Sequence, residues 1–143
     1  IKNSGFFYKT TDRPKKEGNA NIQFYATRYD YLRIAKAMLD DWQNDTCEGK
    51  YLKTIFENSI SKDTKKLHAQ GKTVSWPFAR RYAGQFQTHP KGIKKERPIM
   101  IMHGYGGQHV VIDMERSRIV VTNAIHENFN FPKIVYGTIK KGK

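Results

Sequence analysis

Residues 102–124 read MHGYGGQHVVIDMERSRIVVTNA and decide how this chain folds. The stretches Gln108–Asp113 and Arg118–Asn123 are rich in Val and Ile, residues that are typical of strands. Only residues 114–117 separate them, a length that suits a tight turn. Because a further strand-like stretch, 99–102, comes shortly before, we predict three neighbouring antiparallel strands.

Three glycines fall within four positions between the strand-like stretch 99–102 and the strand Gln108–Asp113. They are Gly104, Gly106 and Gly107. Glycine in a sheet is typical either of a bulge or of another backbone or a ligand that lies against the strand. The first interpretation needs only a sharp local twist. The second leaves a backbone N–H at a strand edge, where it can stabilise a developing oxyanion. The spacing alone leaves both interpretations open.

Two amphipathic helices are predicted upstream of the strands. Apolar side chains recur at helical spacing over 27–43, and Thr27 with Asp30 three residues later resembles a capping box. A second, shorter helix is predicted over 50–60. Residues 61–73 are polar and read as a loop or a frayed helix end, and Pro132 suits the first position of a closing helix.

The fold class predicted from this order is α+β, an antiparallel sheet with helices packed on it. Alternating residues over 81–89 add a fourth strand, and a basic loop over 90–98 follows it. The expected organisation is one domain, with an irregular lead-in over 1–26, helices over 27–60, the sheet over 81–123, and a helix with a basic tail over 131–143. The core is thin for so many elements, so we expect a part of a larger unit.

Charge and composition narrow the functional classes. The chain carries 26 Lys and Arg residues against 13 Asp and Glu, a formal charge of +13. Because the basic residues are scattered in small groups, a lysine-rich surface is favoured over a nucleic-acid site. The single cysteine, Cys47, excludes an internal disulfide and a cysteine zinc cluster, and we expect it at a helix end. No apolar run approaches the roughly 20 residues of a membrane span.

Histidines surround the glycine-rich step, but their spacing along the chain does not predict a metal site. His103 and His109 flank the glycines, while His89 and His126 lie near strand ends. None of these spacings is that of a zinc site, and only Asp113 offers a carboxylate nearby. We therefore predict neither a metal nor a cofactor.

The residues around the glycine-rich step carry a resemblance. Gly104 to Gln108 (GYGGQ), followed by the strands VVID and IVVTN, resembles the C-terminal segment of the serine β-lactamase and penicillin-binding-protein superfamily. It is most similar to the class C-like branch with esterases and nylon-oligomer hydrolases. The upstream run 26–33, ATRYDYLR, resembles the start of a helix in the same family. Together the match extends over most of the chain from Ala26 onward.

The resemblance implies the C-terminal part of a β-lactamase or transpeptidase-like fold, and a serine hydrolase that cleaves amides, esters or β-lactams through an acyl-enzyme. The family's third motif falls on Met102, His103 and Gly104. Tyr105 would then offer its backbone N–H to the oxyanion hole, and His103 would be the second catalytic residue. Gly104, Gly106, Gly107 and Gln108 would line the substrate site. Since Met102 stands where the family often has Lys, either His103 supplies the polar function or the motif is degenerate.

Of the family's other two motifs, one has only a literal match in this sequence and the other does not occur. Ser59 and Lys62 match Ser-x-x-Lys literally, but we expect a coincidence because the lysine should stay solvated and protonated among other charges. Tyr-x-Asn and Ser-x-Asn do not occur in the 143 residues. The nucleophile is therefore expected in a missing N-terminal part of the same domain, and this chain alone is predicted to be inactive. The sequence does not determine the localisation, but the resemblance implies a bacterial parent that is periplasmic or exported. The alternatives are a small basic module that binds nucleic acid or another anionic polymer, and a non-catalytic relative.

Overall fold

The computed structural model describes residues 26–62, 78–104, 108–123, 130, 133 and 137–140. Within these residues, six antiparallel strands form one open sheet in the order β1-β2-β3-β4-β5-β6, together with three helices, which is the α+β class predicted. The helices are α1 Arg28–Asn44, α2 Cys47–Glu57 and α3 Gly137–Lys140. The strands are β1 Ile60–Ser61, β2 Ala79–Ala83, β3 Phe86–Pro90, β4 Ile99–His103, β5 Gln108–Asp113 and β6 Arg118–Asn123.

The capping box predicted for α1 is present. The Thr27 hydroxyl accepts from the Asp30 backbone N–H at 3.2 Å, and the Asp30 carboxylate accepts from the Thr27 backbone N–H at 3.3 Å. These two bonds satisfy donors that a helix start otherwise leaves unpaired. The helix ends before Asp45, which has a left-handed φ of 56° and whose side chain binds Lys53.

The second helix begins and ends three residues earlier than predicted. Thr46 is its N-cap, with its hydroxyl accepting from the Gly49 N–H at 3.1 Å, so Cys47 is the first helical residue, at a helix end as expected. Gly49 lies against α1 so closely that a Cβ there would be 1.9 Å from the Asp41 carbonyl oxygen. The helix stops at Glu57, and Ile60 belongs to β1 instead.

The single strand predicted over 81–89 is wrong, because the structure has a hairpin there. Strands β2 and β3 are antiparallel neighbours joined at Gly84 and Gln85. Both turn residues have positive φ, 44° and 72°, as a two-residue hairpin turn requires. The prediction of four strands therefore becomes six, counting also the two residues of β1.

The three strands predicted around the glycine-rich step are confirmed, with β4 extending one residue further to His103. Their two faces are both covered. Helices α1 and α2 pack on the face that carries Met100, Val110 and Ile112. Ile139 of α3 packs on the other face, against a group that includes Ile99, Ile101 and Val111. The central strands β4 and β5 thus have buried apolar side chains on both faces of the sheet.

A buried ion pair joins three parts of the molecule. The guanidinium of Arg97, in the loop before β4, binds the carboxylate of Asp113 at the end of β5, and Asp113 is 0% exposed. Arg97 also donates to the carbonyl oxygen of Ile139 at 3.0 Å, so the same side chain holds α3. The second Asp113 oxygen accepts from the Arg116 backbone N–H at 3.1 Å and closes the β5–β6 turn.

Several predictions fall on residues outside the described part of the chain. These are the lead-in up to residue 25, the loop from residue 63 onward and the start of the closing helix at Pro132. Within the predicted closing helix, residue 133 and residues 137–140 are described, and Gly137–Lys140 is helical. No helix among the described residues is long and apolar enough to cross a membrane.

Candidate functional site

The candidate site lies where β4 ends beside β5. The two strands pair from Ile99 opposite Asp113 to His103 opposite His109. One residue beyond that ladder, the Gly104 N–H donates to the Gln108 carbonyl oxygen at 2.9 Å. Gly104 is therefore a hydrogen-bonded partner of β5, and the alternation of an antiparallel ladder makes His103 and His109 a non-hydrogen-bonded pair.

On its other edge, β4 pairs with β3 over fewer residues than it pairs with β5. Strand β3 begins at Phe86 and pairs with β4 at Gln87 opposite Ile101 and at Thr88 opposite Met100. Strand β4 continues for two residues past Ile101 to His103. In this register Phe86 lies level with Met102, so β4 extends one residue, His103, past the start of β3.

A cleft of about 170 Å³ opens at this end of the sheet. It is formed by the last residues of β4, the first residues of β5, the end of β6 and one residue of α1. Among the described residues its lining is Tyr31, Met102, His103, Gly104, Gln108, His109, Val110 and Asn123. Burial raises the pKa of Tyr31, so its phenol stays protonated at neutral pH.

His103 is exposed, and a backbone contact orients its ring. Its Nδ1 lies 3.0 Å from the Gly104 carbonyl oxygen. A carbonyl oxygen can only accept, so Nδ1 carries the proton and Nε2 carries the lone pair of the neutral ring. Partial burial, and then the charge of Lys62, lower the pKa of His103, which keeps the ring uncharged at pH 7.

His109 is buried, with 5% of its surface exposed, and its ring centre lies 5.0 Å from that of His103. Burial lowers the pKa of His109 to about 4, and His103 adds a smaller effect in the same direction. The two rings are therefore neutral together at physiological pH. This polar pair lies on the α3 side of the sheet, since Ile101 and Val111 are the next pair on that face.

The structure brings some of the predicted site residues together. His103, Gly104 and Gln108 all line the cleft, and a Cβ on Gly104 would lie 3.1 Å from the Gln108 Oε1. Tyr105, Gly106, Gly107 and His126 are outside the described residues. His89 is placed elsewhere, on β3, where it has a φ of 54° and its ring stacks on Phe56 of α2 at 4.8 Å.

Two lining residues come from other elements and are not among the predicted site residues. Tyr31 lies in the run 26–33 and in the predicted amphipathic helix, and nothing local distinguishes a helix residue that faces a cleft. Asn123 lies directly opposite Gln108 in the β5–β6 register. A tight turn at residues 114–117 pairs the start of β5 with the end of β6. The length of that turn therefore predicts that Asn123 lies opposite Gln108.

The Ser-x-x-Lys match has a different environment from the one expected. Lys62 is half-buried, and burial followed by the charge of Lys91 lowers the pKa of its ammonium, so the expectation of a fully solvated lysine is wrong. Its Nζ donates to Gln87 Oε1 at 2.8 Å. The Ser59 hydroxyl instead accepts from Arg81 Nε at 2.8 Å. The two side chains thus bind different partners, and the motif spans β1, with Ser59 just before that strand and Lys62 just after it, so it is not at a helix start.

Comparisons with known proteins leave the site to be interpreted from its geometry. No family model matches this chain, and neither a curated protein nor a solved structure is significantly similar to it. In the part of the chain that the structure describes, no group of three or more His, Cys, Asp or Glu side chains is arranged to hold a metal ion.

The lowered pKa of His109 predicts a specific loss of stability in acid. Above about pH 6.5 the ring is neutral in both the folded and the unfolded chain. As the pH falls from about 6.5 to about 4, the unfolded chain binds a proton that the folded chain excludes. The free energy of unfolding should therefore fall by up to about 3 kcal/mol over this range on account of His109 alone.

Urea denaturation at several pH values measures this effect. The variant His109→Gln should show a shallower decline in unfolding free energy between pH 6.5 and 4 than the original chain. An NMR titration of the folded protein should place the His109 ring well below the other imidazoles. Equal slopes for the two proteins would contradict the assignment.

Proposed function

We propose that this chain is the C-terminal part of a serine hydrolase related to β-lactamases and penicillin-binding proteins, cleaving amides, esters or β-lactams through an acyl-enzyme. In this proposal it supplies the oxyanion-hole strand, and the nucleophile belongs to an N-terminal part of the same domain. Two helices followed by antiparallel strands, with the glycine-rich step between β4 and β5, support this interpretation.

The observation that carries the proposal is the bond from the Gly104 N–H to the Gln108 carbonyl oxygen. We assign the oxyanion-hole role to the next amide along the chain, that of Tyr105, which would donate to a substrate carbonyl. A backbone N–H held by a sheet is a preorganised donor for the oxyanion of a tetrahedral intermediate.

His103 is the residue we assign to the polar role that Met102 cannot fill. Both line the cleft, but only the imidazole offers a hydrogen bond. Because its Nδ1–H is directed to the Gly104 carbonyl oxygen, Nε2 carries the lone pair that would accept from a hydroxyl or amide of the substrate. Gln108 and Asn123, which are opposite each other, would complete the polar wall.

Replacing Tyr105 by proline tests the oxyanion role, because proline lacks the N–H and Tyr105→Phe keeps it. Both variants should be made in the longest gene product that contains this chain. Mass spectrometry then measures how fast a penicillin or a fluorophosphonate acylates each protein. The 143-residue chain alone should not be acylated. In the longer protein, Tyr105→Pro should slow acylation by about 100-fold or more, whereas Tyr105→Phe should retain it.

Two outcomes would overturn the proposal. One is a longer gene product that no acylating probe labels at a serine. The other is a Tyr105→Pro variant that is acylated as fast as the Tyr105→Phe control.

One observation favours a second candidate, a basic module that binds nucleic acid or another anionic polymer. The charges of Arg81, Arg80 and Lys95 contribute to the lowered pKa of His89, after the larger effect of burial. The charge of Lys91 acts likewise on Lys62. Basic side chains of β2 and of the loop after β3 therefore lie near enough to act on His89 and Lys62, although the Glu96 carboxylate opposes them at His89.

A salt titration of binding to a DNA duplex tests this candidate. Binding should weaken steeply between about 50 and 200 mM salt, and Arg80→Gln with Lys95→Gln should reduce the salt dependence by about one released ion for each lost phosphate contact. The matched control is Lys36→Gln, since Lys36 is on α1 and is paired with Asp40. No binding at low salt, or an equal effect of the control, would exclude this role.

A further inference from the structure

The pair formed by His103 and His109 has a geometry that the spacing of the two residues along the chain does not reveal. The residues lie directly opposite each other on neighbouring antiparallel strands. Because Gly104 and Gln108 form the adjacent hydrogen-bonded pair, His103 and His109 occupy a non-hydrogen-bonded position, where facing Cα atoms are only about 4.5 Å apart. Their side chains project from the same face of the sheet.

The separation of the two rings suits a shared metal ion. Zinc binds imidazole nitrogen at about 2.0–2.1 Å in tetrahedral geometry, which places the centres of two ligating rings about 5 Å apart. The ring centres of His103 and His109 are 5.0 Å apart, and their planes are inclined at 59°. The observed separation of the ring centres therefore matches the separation that two imidazoles on one zinc ion require.

We propose that His103 and His109 form a two-histidine clamp for a divalent transition-metal ion of the class that imidazole prefers, such as Zn²⁺, Cu²⁺ or Ni²⁺. Two imidazoles leave the remaining coordination positions to water or to an added ligand. The inference does not depend on the proposed hydrolase activity. It concerns only residues that this chain contains.

A second contact supports the role of His103 as a ligand. Metal-binding histidines commonly donate their other ring N–H to a carbonyl or carboxylate, which fixes the tautomer and the ring orientation. The Nδ1–H of His103 is directed in this way to the Gly104 carbonyl oxygen, so Nε2 presents the lone pair. His103 is exposed, which gives an ion access to the buried His109.

The positive charge of Lys62 should weaken the binding of a cation at His103, so removing that charge should strengthen it. The charge of Lys62 reaches His103, and its Nζ is held beside β3 by Gln87 Oε1 at 2.8 Å. A positive charge close enough to act on His103 also repels a divalent cation bound there. Removing the charge with Lys62→Met, which keeps most of the apolar stem, should tighten metal binding by about 5-fold.

Calorimetric titration of Zn²⁺ into the metal-free 143-residue chain at pH 7.5 measures the site directly. One ion should bind per chain, and His103→Gln should weaken binding more than about 10-fold, since a first ligand is lost. The matched control His89→Gln, a histidine on β3 that stacks on Phe56, should leave the affinity unchanged. The double variant His68→Gln, His126→Gln should also leave it unchanged.

A measurement on the original chain avoids the possibility that a variant loses metal binding because it does not fold. In histidine side-chain NMR spectra of the original chain, Zn²⁺ should shift the ring signals of His103 and His109 and leave that of His89 in place. No bound ion at all, binding that survives His103→Gln, or zinc shifts at other histidines would each overturn the proposal. Because no substrate is present, these results are independent of whether the longer gene product is a hydrolase.

Discussion

The register of β4 on β5 is the constraint on which the rest of this structure depends. Side chains of both strands are buried on both faces, with Met100 and Ile112 under α1 and α2, and Ile101 and Val111 on the α3 side. A slip by one residue would exchange the two faces of a strand and expose or misplace every one of these side chains. Burial on both faces therefore specifies one register strongly.

The chemistry at the end of the sheet follows from that register. It directs the Gly104 N–H to the Gln108 carbonyl oxygen. The same register places two imidazoles opposite each other, in surroundings that keep them neutral. The buried pair of Arg97 and Asp113 holds the other end of β5 to the preceding loop and to α3. One strand pairing thus underlies both the candidate oxyanion site and the candidate metal clamp.

Local signals in the sequence predicted most of this fold. The capping box of Thr27 and Asp30 located α1, and the Val and Ile runs with a four-residue connection located β5 and β6. The β2–β3 hairpin was missed because alternation continues through Gly84 and Gln85, and Gly-Gln is not one of the common hairpin dipeptides. The start of α2 was missed because Thr46 was not recognised as its cap.

The site was less predictable, because its features come from pairing across strands. The spacing of His103 and His109 along the chain does not show that they face each other, and the burial of Lys62 depends on β3, which follows it by more than twenty residues. The Gln108 and Asn123 pair could have been derived from the hairpin alone. Tyr31 required the packing of α1 on the sheet, which no local pattern encodes.

The most direct test of the central claim is a nuclear Overhauser experiment on the isotopically labelled chain. In antiparallel sheets the Hα atoms of non-hydrogen-bonded pairs approach closely. The account predicts a strong Hα–Hα contact between His103 and His109, with another between Ile101 and Val111. Contacts from His103 to Val110 or Gln108 in place of His109 would show a different register and would contradict the account.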